Sequence, residues 1–162
     1  MSRAYLSLGS NLQPMANLRS AIKALHAQFD AVVLSLVYRT RAVGFEGNDF
    51  FNAAAVVETD LEPHALNEWL HALEDAHGRD RSGPRHGDRT LDIDIVLFDD
   101  RMLSGPGNLR IPRPELQHAF VLKPLADIAG DVVVPGNGHT LAQLWAVHPE
   151  HDAVFEIVEL GL

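Results

Sequence analysis

The chain has 162 residues, a length that fits one domain with a sizeable hydrophobic core. Apolar residues make up 46% and charged residues 22%, which is typical of a soluble globular protein and not of a disordered chain. The formal net charge of −9 argues against general binding to nucleic acid or to an acidic membrane, and the absence of cysteine excludes disulfides and thiolate metal sites.

No apolar run approaches the roughly 20 residues that a membrane-spanning helix needs. The first residues, Met1–Ala4, lack the charged and then apolar layout of a signal peptide. We therefore expect a single cytoplasmic domain over residues 1–162, monomeric, whose partners are small molecules and neither nucleic acid nor a membrane.

The first half of the chain predicts a strand, a helix and two further strands. Apolar residues alternate over Arg3–Leu8, as in a strand, and Gly9–Asn11 ends the pattern. Further strands are expected over Val32–Arg39 and Phe51–Thr59, on either side of a loop that spans Thr40–Asp49. After the first strand, apolar residues at steps of three and four predict an amphipathic helix with the stripe Met15, Leu18, Ile22, Leu25 and Phe29.

The second half predicts one more strand and three helices. Pro63 opens a helix that Gly78 ends, Leu91–Phe98 is the fourth strand, and helices follow near Phe120–Ala129 and Leu141–Val147. The inward face of the helix that Pro63 opens is expected to carry Leu66, Trp69, Leu70 and Leu73. The order β-α-β-β-α-β indicates a ferredoxin-like α+β fold, with helices packed on one face of an antiparallel sheet and extra C-terminal helices. The last dozen residues show no clear pattern.

Arginine is concentrated in one part of this acidic chain. Seven of the thirteen basic residues fall within 35 positions, and all seven are arginine, whose forked guanidinium fits phosphate oxygens. They are Arg79, Arg81, Arg85, Arg89, Arg101, Arg110 and Arg113. The cluster predicts a site for a small anion, although a solvated loop with ordinary surface charges would have the same composition.

Two aspartates lie close together on the fourth predicted strand. Residues two apart on a strand share a face, so Asp92 and Asp94 project together while Leu91, Ile93 and Ile95 point into the core. Oxygen ligands in a chain without thiolates favour a hard cation, above all Mg²⁺ shared with substrate phosphates. The alternative is a pair of aspartates on the solvent face of an edge strand. The chain has no glycine-rich phosphate loop of the Walker type, so a nucleotide would be held by side chains and metal.

Short motifs along nearly the whole chain resemble one enzyme family, 6-hydroxymethyl-7,8-dihydropterin pyrophosphokinase. They are Tyr5–Leu12, Tyr38–Thr40, Phe50–Ala54, Leu73-Glu74 with Gly78-Arg79, Arg89–Ile95, Ile111-Pro112, and Phe120–Leu122 with Pro124-Leu125. The resemblance implies a sandwich built on the β-α-β-β-α-β core and two bound Mg²⁺ ions. It also implies transfer of pyrophosphate from ATP to the hydroxymethyl group of a reduced pterin, with release of AMP, on the route to folate.

The resemblance assigns the nucleotide side of the site as follows. Asp92 and Asp94 match the pair that holds both metal ions, and with Arg79 and Arg89 they form the expected catalytic set. Arg81 joins these arginines at the ATP phosphates. The remaining residues expected to bind ATP are His71, Glu74, Ile95 at the adenine, Arg110, Arg113 and His118.

On the pterin side, Asn52 matches the amide that pairs with the ring edge, and Phe50 and Phe120 match two aromatics that stack on the ring. The backbone around Thr40, Arg41 and Val43 is expected to add hydrogen bonds. Without the resemblance, both phenylalanines would be interpreted as core residues and Asn52 as an ordinary polar residue within a strand.

Six positions differ from the usual residues of the family, most of them on the ATP side. They are Arg41 for proline, His71 for glutamine, His86 for tryptophan, Asp88 for proline, Arg113 for histidine and His118 for arginine. Two hypotheses follow: either Arg113 and His118 exchange roles, or the grip on ATP is weaker and the protein is a divergent relative with low or shifted activity. A pterin-binding module without catalysis is a further alternative, whereas the histidines form no known metal motif.

Overall fold

The computed structural model describes residues 1–41, 48–78 and 90–161. Its strands are β1 (Ser2–Ser10), β2 (Val32–Leu34), β3 (Val37–Thr40), β4 (Phe50–Thr59), β5 (Asp92–Phe98), β6 (Leu103–Gly105), β7 (Leu109–Ile111) and β8 (Glu156–Val158). Its helices are α1 (Pro14–Gln28), α2 (Pro63–Ala76), α3 (Ala119–Ala129) and α4 (Leu141–Ala146), with a 3₁₀ helix at Pro114–Gln117. Within these ranges, none of the helices combines the length and apolar character that crossing a bilayer requires.

The main sheet is antiparallel and has the strand order β5-β1-β4-β3-β8, with β2 beside the far end of β4. This arrangement confirms the predicted β-α-β-β-α-β order. The predicted strand over Val32–Arg39 is instead two strands. They separate at Ser35, where the hydroxyl accepts the Ala54 amide proton at 2.8 Å, a bond that a regular ladder would give to a backbone carbonyl. The last residues, which showed no pattern, contribute β8, which pairs with β3.

The sheet buries both of its faces. Alternate residues of β4 point into two different hydrophobic cores. Ala53 and Ala55 belong to the first core, and Ala54 belongs to the second. The first core receives α1 and α2 through Leu18, Ile22, Leu25, Leu66 and Leu70. The second core receives α3 and α4 through Val121, Leu122, Leu125 and Leu141. The expectation that the helices of the β-α-β-β-α-β unit cover one face is confirmed, and the extra C-terminal helices pack on the opposite face.

The predicted helix stripes are largely confirmed. In α1 the buried positions are Leu18, Ala21, Ile22 and Leu25. Met15 is 44% exposed, and Phe29 is buried but lies beyond the last residue of the helix. In α2, Leu66 and Leu70 are fully buried, whereas Trp69 and Leu73 are only partly buried against the same core.

A partly buried hydrogen bond joins the sheet to α3. Tyr38 on β3 is 6% exposed and its hydroxyl donates to Asp127 Oδ2 at 2.5 Å, while Lys123 Nζ donates to the other carboxylate oxygen at 2.6 Å. Burial raises the pKa of Tyr38 to about 12, and the hydrogen bond and charge of Asp127 shift it in the same direction. The bond connects the strand that ends at Thr40 with the helix that carries Phe120.

Replacing Tyr38 by phenylalanine is expected to lower the free energy of unfolding by about 1 kcal/mol at neutral pH, because Asp127 loses one of its two donors and keeps Lys123. The folded protein holds the tyrosine proton to a higher pH than the unfolded chain does. The wild type should therefore lose stability as the pH rises from 10.0 towards about 12, and the variant should lose less. Urea unfolding at neutral and alkaline pH measures both effects, and identical curves for the two proteins would contradict them.

Candidate active site

Three carboxylates meet at β5, the outermost strand on one side of the main sheet. On β5, Ile93 is buried while Asp92 and Asp94 are partly exposed on the opposite face, which confirms the predicted alternation. Glu74 reaches this edge from α2, is 2% exposed, and accepts the Ile93 amide proton through Oε2 at 3.0 Å. One oxygen from each of Glu74, Asp92 and Asp94 lies within 4.8 Å of the others. The sequence predicted the aspartate pair but did not place Glu74 beside it.

One arginine lies against this carboxylate cluster. Arg113 follows β7, and its Nη2 lies 3.4 Å from Asp94 Oδ1 while its Nε lies 3.3 Å from Glu115 Oε2. Burial raises the pKa of Asp94, and the charge of Asp92 raises it further; Arg113 acts in the opposite direction. Negative charge therefore exceeds positive charge among the described groups around Asp94. An oxygen-only donor set with surplus negative charge fits a hard divalent cation such as Mg²⁺.

A second polar group lies across the sheet from the carboxylates. Asn52 on β4 is 4% exposed, and its Nδ2 donates to Thr40 Oγ1 on β3 at 2.5 Å. This bond directs one side of the amide towards Thr40. Phe50, two residues earlier on β4, shares the face of Asn52 because the strand alternates with a period of two.

Gly9 connects the two groups. In the sheet register it pairs with Asn52 on one side and with Asp92 on the other, so the three residues form one row across β4, β1 and β5. Neighbouring strands lie 4.7–4.9 Å apart, so Asp92 and Asn52 are separated by about 10 Å. A Cβ atom at Gly9 would lie 3.2 Å from Asn52 Oδ1 and 3.8 Å from the Phe50 ring. A glycine inside a strand pattern is the sequence signal that marks such a close approach.

Adding a side chain at Gly9 is expected to disturb the amide of Asn52 and the ring of Phe50. If the pterin that the family resemblance implies binds along this row, Gly9→Ala should weaken its binding by about threefold and Gly9→Val by about 30-fold, since each added carbon forces a larger shift of packed neighbours. Calorimetric titration with the pterin in the presence of a non-hydrolysable ATP analogue gives the affinities. Equal affinity across wild type, alanine and valine proteins would show that this row is not part of the binding surface.

The structure brings together some of the predicted site residues. Arg79, Arg81, Arg89 and Val43 lie outside the described residues, as do His86 and Asp88. Of the others, Arg41 and Arg110 are exposed. Ile95 is fully buried in the first core, so a contact with adenine would have to come from its backbone.

The turn between β6 and β7 packs on α2. Asn67 Nδ2 donates to Gly107 O at 3.0 Å, and a Cβ atom built at Gly107 would lie 3.4 Å from the ring of His71. Asn108 O, in the same turn, accepts a hydrogen bond from Arg113 Nη1 at 3.1 Å. The turn therefore places His71 and Arg113 on either side of one short segment.

His118, which the resemblance places on the ATP side, lies against Phe120 in the structure. Its ring is parallel to that of Phe120, with 5.0 Å between ring centroids and 7° between planes. Phe120 is half-buried at the start of α3 and packs against the second core. His118 thus supports an aromatic residue that the sequence assigns to the pterin side.

Comparison with known proteins identifies one matching family. The family described as 7,8-dihydro-6-hydroxymethylpterin-pyrophosphokinase (HPPK) matches residues 5–130. A 2-amino-4-hydroxy-6-hydroxymethyldihydropteridine pyrophosphokinase of Haemophilus influenzae is 35% identical over 159 residues, which cover 95% of this chain and 98% of the relative. The protein of the same name from Pseudomonas aeruginosa is 38% identical, over 92% of this chain and 93% of the relative. The one from Synechocystis is 40% identical, over 87% of this chain and 73% of the relative.

Solved structures show the same fold at low identity. A crystal structure of Plasmodium falciparum HPPK-DHPS with pteroate has a TM-score of 0.71 at 14% identity, and it covers 90% of this chain and 44% of that one. An HPPK-DHPS in complex with substrates has a TM-score of 0.70 at 14% identity, covering 92% and 43%. Less than half of each of those longer chains corresponds to this protein. On the family match and the identity to full-length relatives, the chain belongs to the 7,8-dihydro-6-hydroxymethylpterin-pyrophosphokinase family.

Proposed function

We propose that this protein transfers pyrophosphate from Mg·ATP to the hydroxymethyl group of 6-hydroxymethyl-7,8-dihydropterin and releases AMP, as a step of folate biosynthesis. The observation that carries the proposal is the row of Asp92, Gly9 and Asn52 across three strands. It places carboxylates suited to metal-bound phosphate about 10 Å from an amide suited to a heterocycle edge. The names of the relatives from Haemophilus influenzae and Pseudomonas aeruginosa support the same reaction.

On the nucleotide side, Asp92 and Asp94 would hold the Mg²⁺ ions, two in number by resemblance, with Glu74 at the same edge. The bound metal would supply electrostatic stabilisation of the charge on the phosphate oxygens. Arg79, Arg81 and Arg89 belong to this proposal as the guanidinium groups that meet the phosphates, together with Arg110 and Arg113. We place His71 near the nucleotide because it lies beside the β6–β7 turn.

On the pterin side, the Asn52 amide would form hydrogen bonds to the edge of the ring. Its Nδ2 donates to Thr40, which holds the amide in one orientation and leaves Oδ1 and the second N–H for the ligand. Phe50 and Phe120 would stack on the two faces of the ring, with His118 behind Phe120. The backbone near Thr40, including Arg41 and Val43, completes the proposed set.

The chemistry is a displacement at phosphorus. The pterin hydroxymethyl oxygen forms a bond to the β-phosphorus while the bond from that phosphorus to the bridging α,β-oxygen breaks, and AMP leaves. The hydroxyl proton is released in the same step. Positioning two substrates in line supplies much of the rate in such a reaction, and arginines stabilise the charge that develops.

The decisive experiment is incubation of the protein with Mg·ATP and 6-hydroxymethyl-7,8-dihydropterin, followed by separation of the nucleotides. AMP in equal amount to the pyrophosphorylated pterin is expected, whereas ADP would indicate an ordinary kinase. A protein that binds pterin equally well with and without Mg and an ATP analogue, and that forms no AMP, would be a binding module. Sedimentation in the same buffer tests the monomeric state, which belongs to the proposal together with a cytoplasmic location and one domain over residues 1–162.

A further inference from the structure

Arg113 is a buried cation at the edge of the carboxylate cluster. Its side chain is 9% exposed, and it faces Asp94, Glu115 and the carbonyl of Asn108. Its backbone amide donates to Val96 O at 2.9 Å, so the residue is fixed alongside β5. A buried guanidinium persists only where negative charge compensates the loss of water. In this protein the compensating charge comes from Glu115 and from Asp94, the carboxylate that is proposed to bind metal.

The contact with Asp94 is the longest of those that hold the guanidinium. At 3.4 Å it is longer than the 2.7–2.9 Å of a good charge-assisted hydrogen bond, whereas Nη1 donates to Asn108 O at 3.1 Å. Arg113 Nε and Glu115 Oε2 lie 3.3 Å apart, but neither forms a hydrogen bond within the described part of the chain. The guanidinium is therefore held mainly by charge, and it can give up Asp94 while it keeps Asn108.

We propose that Arg113 is a built-in counter-ion of the metal site: it compensates the carboxylate cluster when no metal is bound, and a divalent cation must displace it from Asp94 to bind. This inference rests on the metal assignment in the proposed function. Because the guanidinium carries a permanent positive charge, the chain should need more free divalent cation than a variant with a neutral side chain at this position. The same charge should stabilise the metal-free fold.

The test is a titration of the nucleotide-free protein with Mn²⁺, in which electron paramagnetic resonance measures the concentration of the free ion. Arg113→Gln removes the charge and keeps a hydrogen-bonding side chain of similar length. Arg113→Lys is the matched control because it keeps the charge. A single positive charge within about 5 Å of a divalent ion weakens binding roughly tenfold even at the dielectric constant of water. We therefore expect Arg113→Gln to bind Mn²⁺ about tenfold more tightly, and Arg113→Lys to bind it like the wild type.

Thermal unfolding supplies a second readout. In EDTA, Arg113→Gln should unfold at a lower temperature than the wild type, and saturating Mn²⁺ should stabilise the variant more than it stabilises the wild type. If Arg113→Gln does not fold, Arg113→His takes its place in both measurements with the same expected direction. Unchanged or weaker Mn²⁺ binding in the glutamine or histidine variant, or equal binding in the glutamine and lysine variants, would overturn the proposal.

The metal assignment is tested separately by Asp94→Asn, which should lose Mn²⁺ affinity. If it does not, the metal site itself is wrong, whatever Arg113 does. Because no substrate is present in these titrations, their outcome is independent of AMP formation. A failure of the counter-ion role is thus distinguishable from a failure of the proposed reaction.

Discussion

Replacing Asp94 by asparagine is expected to lower kcat by about a thousandfold or more while the metal-free protein keeps its fold. The substitution removes one charge from the carboxylate cluster with almost no change in volume. A metal site that loses a charged ligand holds its cation poorly, and the charge that develops on the phosphates loses its compensation. The turnover assay measures AMP formation at saturating substrates. Asp100→Asn, an exposed position in the turn after β5, is the matched control and should retain wild-type turnover.

The same substitution should not destabilise the metal-free protein. Burial and the charge of Asp92 raise the pKa of Asp94, so its ionised form is unfavourable in the folded state. For a carboxyl group with a raised pKa this cost is complete above the folded-state pKa, declines as the pH falls below that value, and is gone below the unfolded-state pKa. At neutral pH in EDTA, Asp94→Asn should therefore unfold at the same temperature as the wild type or a higher one, because Arg113 keeps the Glu115 carboxylate and the Asn108 carbonyl. A partly unfolded variant, or one with full turnover, would contradict the metal role.

Replacing Asn52 by leucine is expected to weaken pterin binding by about 100-fold or more, because at least two hydrogen bonds to the ring edge are lost and the ligand's polar groups remain unpaired. Leucine has a similar shape and leaves the strand pairing of β4 with β1 and β3 intact. Titration of pterin in the presence of an ATP analogue measures the loss. Affinity for the nucleotide alone should change little, because Asn52 lies on the opposite side of Gly9 from the carboxylates.

Thr40→Val provides a graded comparison for Asn52→Leu. It keeps the amide but removes the hydroxyl that accepts from Asn52 Nδ2 at 2.5 Å. Since the amide then loses only its preferred orientation, we expect about a tenfold loss of pterin affinity. Equal pterin binding by the wild type and Asn52→Leu would contradict the assignment of Asn52. A larger loss in Thr40→Val than in Asn52→Leu would indicate that the hydroxyl itself contacts the ligand.

Features with a short repeat along the chain were predictable from the sequence. The period of two over Leu91–Phe98 places Asp92 and Asp94 on one face, because side-chain direction in a strand depends only on local backbone geometry. The steps of three and four that define α1 are local in the same sense, and the structure confirms them. The family resemblance added the residue roles, which rest on motifs and not on this geometry.

Other features were decided by packing between distant parts of the chain. Glu74 joins the aspartates because α2 packs on β5 and its carboxylate caps the Ile93 amide, 19 residues away. Arg113 reaches Asp94 because the chain after β7 runs beside β5. The position of α3 and α4 on the second face, and β8 at the sheet edge, depend on contacts that no single segment encodes.

The sequence alone thus determined the carboxylate pair, the strand and helix order and the likeness to a family. Only the tertiary structure decided which residues surround the two aspartates. It also decided the sheet register, in which Gly9 on β1 lies between Asp92 on β5 and Asn52 on β4. The physical reason is the sequence separation over which each feature is set. Periodicity and alternation follow from neighbouring backbone dihedrals, whereas strand register and contacts between distant side chains follow from the packing of whole layers.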